Sequence, residues 1–246
     1  MIEISPVEGI PEVSEGAPLG VMIATACEPR DEDVVVISQK IVSKAEGRVR
    51  DLASVEPSAR ARDLANRLDK DPRLVELILS ESSEVLRADH GVLIVETKGG
   101  LICANAGIDA SNIPGEGRVA LLPEDPDASA RRIRAEIRKA GGAAPAVLIA
   151  DSFGRAWRLG QTEVAIGCAG LAAVDDWRGS RDRDGQILGA TVIAIADEVA
   201  AAADLARDKA SGTPVVLVSG LGRHITAADG PGAESLLRDR DRDLFR

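Results

Sequence analysis

Pro145-Ala146-Val147-Leu148-Ile149-Ala150-Asp151-Ser152 runs apolar and then stops on a carboxylate and a hydroxyl. A run this short cannot cross a bilayer. Bounded by polar residues, it reads as a buried strand, Val147–Asp151, with its last side chains delivered to the strand end. Val34–Ser38, Val92–Glu96, Thr191–Ala196 and Val215–Ser219 share the pattern. Leu101–Ala104 is expected as another strand, turned back on its predecessor through Lys98-Gly99-Gly100. Amphipathic segments with helix signals lie between them. Asp125-Pro126 offers an N-cap and first helical residue for a helix to about Lys139, stopped by Gly141-Gly142. Pro57 opens one through Leu68, Asp71-Pro72 another through Leu79, and Asp197–Leu205 is Ala-rich with acids in its first turn. Strands alternating with helices predict a mixed α/β (α+β) fold.

Composition agrees with a packed chain. The 246 residues are 45% hydrophobic and 28% charged, which suits a soluble globular protein and excludes a disordered one. With two Trp, two Phe and no Tyr, the core must be aliphatic. The length allows one large unit or two interleaved subdomains, with the Pro/Gly-rich stretch 112–117 as the expected divide. A formal net charge of -10 and the scarcity of aromatics argue against a nucleic-acid partner. The basic stretch from Arg131 to Lys139 and the Arg/Asp alternation from Arg238 to Arg242 are expected as solvated faces. No signal peptide or membrane span is visible, so the expectation is a cytoplasmic chain with no membrane partner. Cys27, Cys103 and Cys168 are too scattered for a disulfide framework and read as reduced, mostly buried thiols. With no pair at zinc-site spacing and only two histidines, a His/Cys metal site is not expected.

Four segments carry polar residues. Ser38 to Arg48 follows a strand, so Lys44 could meet a phosphate with Ser38 or Gln39 donating hydrogen bonds. An edge strand with alternating exposed polar residues explains the same segment equally well. Asp109 and Asn112, three apart after Leu101–Ala104, could face one ligand, although an Asx turn is the simpler account. Asp151 and Ser152 suit a hard cation that wants oxygen ligands, with Arg155 and Arg158 nearby to neutralise phosphate oxygens. A helix N-cap at Asp151-Ser152 would leave those arginines and Trp157 unexplained. Asp197-Glu198 is accounted for by the helix dipole. Together, Asp109 and Asp151 are expected to converge on metal ions beside Lys and Arg, the equipment for a nucleoside triphosphate.

At these residues the sequence resembles the coenzyme F420:L-glutamate ligase family (F420-0:γ-glutamyl ligase). The shared stretches are Gly9 to Val13, Ser43 to Arg48, Ala106 to Asn112, Leu121 to Asp127, Asp151 to Arg158 with Gly160 to Thr162, and Ala196 to Glu198. They keep the family's order from residue 9 to about 220. The resemblance implies a GTP-dependent ligase that adds L-glutamate to the F420 precursor (F420-0), and then further γ-linked glutamates, through an acyl phosphate. It implies GTP contacts at Ile10, Pro11, Glu12, Val13, Ser38, Gln39, Lys44 and Asn112. It implies two divalent ions, Mg²⁺ or Mn²⁺, held by Asp109, Asp151 and Ser152, with K⁺ as well. Arg155 as a catalytic residue and Arg158 as a phosphate contact are additions from charge and position. The implied architecture is a two-subdomain monomer intertwined into a homodimer.

Departures from the family pattern matter for the second ion, for which either Asp208 substitutes or a different arrangement serves. Ser152 stands where Thr is frequent, which keeps the hydroxyl. In Ala206–Gly212, a segment that contacts GTP in the family, Asp208 and Lys209 occupy the neighbourhood of a Gln metal ligand, and an ammonium cannot ligate a cation. The chain ends near Phe245, so a fused C-terminal reductase-like domain is not expected. Two alternatives remain: a carboxylate–amine ligase with another acceptor, and a nucleotide-binding protein without turnover.

Overall fold

The computed structural model describes residues 1–111, 113–207 and 212–244. Along the chain come β1 (Glu3–Pro6), α1 (Leu19–Cys27), β2 (Val34–Ser38), α2 (Gln39–Ala45) and β3 (Val49–Asp51). An excursion follows: α3 (Ala59–Leu68), α4 (Pro72–Ser80), β4 (Ser82–Asp89), β5 (Val92–Thr97) and β6 (Ile102–Ala104). The chain returns through β7 (Arg118–Ala120), α5 (Pro126–Gly141), β8 (Ala146–Arg155) and β9 (Arg158–Ala169). It closes with β10 (Asp175–Asp176), β11 (Val192–Ile193), α6 (Ile195–Ala206) and β12 (Val215–Ser219). The mixed α/β expectation holds.

The main sheet has the order β1-β12-β2-β8-β9, with β2 and β8 parallel and the other neighbours antiparallel. Side chains alternate between the two faces of a strand, and both faces of this sheet are covered. Val35, Ile37, Val147 and Ile149 pack in one core with Ile23 of α1 and Ile133 and Ile137 of α5. Val34, Val36, Ala146 and Leu148 pack in another with Val199 and Ala203 of α6. That is why the central strands read as unbroken apolar runs. The excursion has its own core, in which Ala61, Leu64, Val75 and Ile78 of the two helices meet Leu93 and Val95 of β5. The stretch 112–117 lies where that excursion rejoins β7, and Asn112 is outside the described residues.

Helix signals served well. Asp125 caps α5 by accepting from Ala128 N at 2.8 Å, Pro126 begins it, and Gly142 ends it at φ 85. The helix expected from Pro57 starts at Ala59, because Ser58 supplies the cap.

Other expectations are corrected. Thr191–Ala196 is not a core strand: only Val192–Ile193 pair, and α6 begins at Ile195. Ile195, Ala196, Val199, Ala200 and Ala203 are buried with helical spacing, and that burial decides the conformation. Ser38 to Arg48 is not an edge strand, since Gln39–Ala45 form α2 with Gln39, Ile41, Val42 and Ser43 buried. Asp151-Ser152 caps no helix, because β8 runs on to Arg155 and turns directly into β9. The basic face of α5 is not wholly solvated. Arg134 is 6% exposed and donates to Pro145, Ala144, Thr226 and Ala227 carbonyls and to Asp229. Among the described residues no helix is long and apolar enough to cross a membrane.

Candidate active site

Parallel pairing aligns Ser38 with Ala150, so β2 and β8 end at the same edge of the sheet. Open α/β sheets bind ligands beyond the carboxyl ends of their strands, and a cavity of about 700 Å³ lies there. Asp151 and Ser152 reach it from β8, one step past a register shift between Ile149 and Ala150. Asp109 comes from the distant turn after β6. Its backbone pairs with Ala120 in both directions, at 3.1 and 2.8 Å, and Ala120 pairs with Val49 of β3. Two carboxylates far apart in sequence therefore line one hollow.

Their environments differ. Asp109 is half-buried, which works against its charge. The ammonium of Lys40 at 2.8 Å and the N–H and hydroxyl of Ser111 outweigh that and hold the carboxyl below its usual range. The Asx turn and the ligand-facing position are thus both realised at Asp109. Asp151 is pushed up to about 7, by burial first and then by the neighbouring charges of Glu163 and Asp109, despite a backbone hydrogen bond from Ser152. The structure leaves three acidic groups close together without a full set of counter-charges. Cys103 also lines the cavity, but burial and the charge of Asp151 push its thiol up to about 12, so it stays protonated and unreactive.

Ile10, Pro11, Glu12 and Val13 form part of the wall, as do Ser38 and Lys44. Lys44 is anchored by Glu12 at 2.7 Å. Gln39 is not on the wall. It is the first residue of α2, is fully buried, accepts from the Ser43 hydroxyl at 2.9 Å, and its Nε2 has no partner among the described residues. Arg155 and Arg158 are also absent from the wall. They sit exposed at the β8–β9 turn, where Arg155 donates to Leu159 O at 2.9 Å, because the strand pair continues outward past the cavity. Asn112, Asp208 and Lys209 lie outside the described residues.

Sequence reasoning passed over Lys40, Asn105, Glu163 and Arg207, all of which line the cavity. Glu163 faces Ser152 across the β8–β9 pair and accepts its hydroxyl at 2.9 Å. Its other oxygen takes Arg207 at 2.7 Å. A signal for Glu163 existed: it is an acid beside Val164-Ala165-Ile166, in a strand otherwise turning apolar. Arg207 gave none.

The sequence profile of the F420-0:Gamma-glutamyl ligase family matches residues 9–220. The chain belongs to this family. Whole-length relatives agree. A protein of Haloarcula marismortui named coenzyme F420:L-glutamate ligase is 46% identical, with 100% of this chain and 96% of the relative aligned. Proteins of the same name from Methanothermobacter thermautotrophicus and Methanopyrus kandleri are 43% and 42% identical, covering 100% of this chain and 99% and 98% of their own lengths.

The donor chemistry suits the cations that membership in the family leads one to expect. Among the described residues no three His, Cys, Asp or Glu gather closely enough to enclose a metal unaided. Mg²⁺ and Mn²⁺ do not require that, since they take one or two carboxylates and complete their shells with water and phosphate oxygens. Asp109, Asp151 and the Ser152 hydroxyl offer such oxygens. Asn105 Oδ1, buried and unpartnered among the described residues, is a further acceptor on the same wall.

Proposed function

We propose that the chain joins L-glutamate to the coenzyme F420 precursor at the expense of GTP, and then adds further γ-linked glutamates. The observation that carries this is the meeting of Asp109 and Asp151 in one cavity with Lys44 and the Ile10–Val13 segment. A carboxylate is a poor acyl donor, so amide formation needs a better leaving group than oxide. Transfer of the terminal phosphoryl group of GTP to an oxygen of the acceptor carboxylate supplies it, with GDP departing. The glutamate amine then attacks the acyl carbon, the C–O bond to phosphate breaks, and the nitrogen loses a proton.

Each wall has a task in this reading. The Ile10–Val13 segment, Ser38 and Lys44 bind the nucleotide, with Lys44 exchanging Glu12 for a phosphate oxygen. Asp109, Asp151 and Ser152 hold divalent ions, Mg²⁺ or Mn²⁺, whose charge offsets that of the phosphates as it shifts. K⁺ and the homodimer complete the assembly expected from the family. Three free cysteines suit the reducing cytoplasm.

The test is a mass measurement. Purified protein with GTP, Mn²⁺, L-glutamate and the deazaflavin phosphodiester should yield products heavier by whole glutamyl units, with GDP formed in step. Another acceptor would leave the phosphodiester unchanged while GDP accumulates with that other acid. A binder without turnover would release no GDP.

A further inference from the structure

The helix dipole accounts for an acid in the first turn of α6, but not for what Asp197 touches. Its Oδ1 accepts the backbone N–H of Ala165, on β9, at 2.9 Å. Ala165 is where the register between β8 and β9 changes. Ile149 pairs with Gly167 and Ala150 with Ala165, so Ile166 is an extra residue with no partner opposite, a β-bulge. Burial shows the result. Ile166 packs with Ile133 and Ile137 on the α5 side of the sheet, whereas Ala165 packs with Val199 and Ala203 on the α6 side. A Cβ on Gly167 would also point to the α5 side, against Pro126. Two successive residues thus share one face.

That reversal decides one wall of the cavity. Counted back from Cys168, which packs on the α6 side, unbroken alternation would put Glu163 on the α5 side. With the bulge, Glu163 falls opposite Ser152, accepts its hydroxyl at 2.9 Å and holds Arg207 at 2.7 Å, while Val164 falls opposite Asp151. A slip of one residue would exchange all these faces. β9 is the edge strand of the sheet, so among strands only β8 holds its register. Two helices supply the rest. Asp127, in the first turn of α5, accepts Cys168 N at 2.7 Å on the far flank of the bulge, and Asp197 accepts Ala165 N on the flank next to the cavity.

We propose that Asp197 is a positioning residue for ligation: by accepting Ala165 N it fixes the bulge, and with it the placement of Ser152 and Glu163 on the cavity wall. The proposal rests on the reading in which Asp109, Asp151 and Ser152 hold the divalent ions. What the bulge uses is an acceptor oxygen rather than a charge, and burial does hold the Asp197 carboxyl above its ordinary value.

Three variants separate acceptor, charge and fold. Asp197→Asn keeps an oxygen at the same reach, Asp197→Glu keeps the charge but moves the oxygen, and Asp197→Ala removes it. Each is read by Mn²⁺ titration with electron paramagnetic resonance, by kcat for glutamate-dependent GDP release at saturating GTP, and by Tm. The alanine and glutamate variants should bind Mn²⁺ about tenfold more weakly and lose about tenfold or more in kcat, and asparagine should restore most of both. A merely structural role would lower Tm and move neither. If the alanine variant fails to fold, the asparagine and glutamate pair carries the comparison. Wild-type Mn²⁺ affinity and kcat in folded Asp197→Glu overturn the proposal, as does an asparagine variant as impaired as the glutamate one. A wild type that binds no Mn²⁺ overturns it together with the cation assignment. A wild type that binds Mn²⁺ but makes no amide sinks the ligase reading alone, since the affinity comparison still stands.

Discussion

The ammonium of Lys40 stands 2.8 Å from Oδ2 of Asp109, joining the first turn of α2 to the loop after β6 across one wall of the cavity. Lys40 also donates to Ser111 Oγ at 2.5 Å, so one side chain positions both ends of the Asx turn. It occupies the place of a counter-ion for a carboxylate assigned to metal.

Replacing that ammonium should therefore free the site for a cation. In Lys40→Met, Asp109 loses its main opposing charge and its pKa rises. With a positive charge removed nearby, Mn²⁺ should bind about tenfold more tightly in the absence of nucleotide. Electron paramagnetic resonance of free Mn²⁺ reads this directly. Unchanged or weaker binding would remove Asp109 from the cation site.

Asp151 gives a pH signature. Its folded value of about 7 lies above the ordinary 3.8, so between those values the native state holds a proton that the unfolded chain has lost. Stability from this group is present below pH 4 and disappears as pH rises through 7, a change on the order of 4 kcal/mol. In EDTA, urea unfolding of wild type at pH 5 and pH 8 should show about 3 kcal/mol of that decline, the part that falls above pH 5, and Asp151→Asn should flatten it. The same variant should lower glutamate-dependent GDP release by about 100-fold or more, through loss of a metal ligand. Equal turnover with an unchanged pH profile would refute both assignments.

Gly167 on β9 tests the seat of α5. A Cβ there would lie 2.4 Å from Pro126 O and 2.5 Å from its carbonyl carbon, which are backbone atoms that cannot swing aside. Gly167→Ala should cost about 2–3 kcal/mol in chemical denaturation. A loss under half that would mean the helix start can shift freely.

Arg48 ties β3 to the end of α4 through Glu81 and to the loop before α5 through Leu122 O and Glu124. Removing it strands Glu81 in a partly buried place. Arg48→Met should destabilise by about 3 kcal/mol. A calorimetric melt that leaves Tm in place would show that the excursion is held by its own core alone.

Much of this was legible in the chain. Val34–Ser38 and Val215–Ser219 are strands at the residues where their apolar runs stand, because a run buried on both faces needs no partner to declare itself. Asp125-Pro126 and Gly142 punctuated α5 through purely local chemistry. Thr191–Ala196 misled because a short apolar run serves a helix face as readily as a strand. Arg155 and Arg158 misled because nearness in sequence to Asp151 says nothing of direction: β8 lines the cavity as far as Gly154, and both arginines sit exposed at the turn beyond it.

The sequence alone determined the alternation of elements, the aliphatic core, and the residue types from which an oxygen-rich, phosphate-handling site could be built. Tertiary structure decided which of them meet. Ser38 and Ala150 are aligned only by parallel strand pairing, Asp109 arrives by its backbone bridge to Ala120, and Glu163 reaches Ser152 only across β8 and β9. Local propensity acts over a few residues, whereas these encounters are fixed by burial and hydrogen bonding between segments many residues apart, and so they have no signature in either segment by itself.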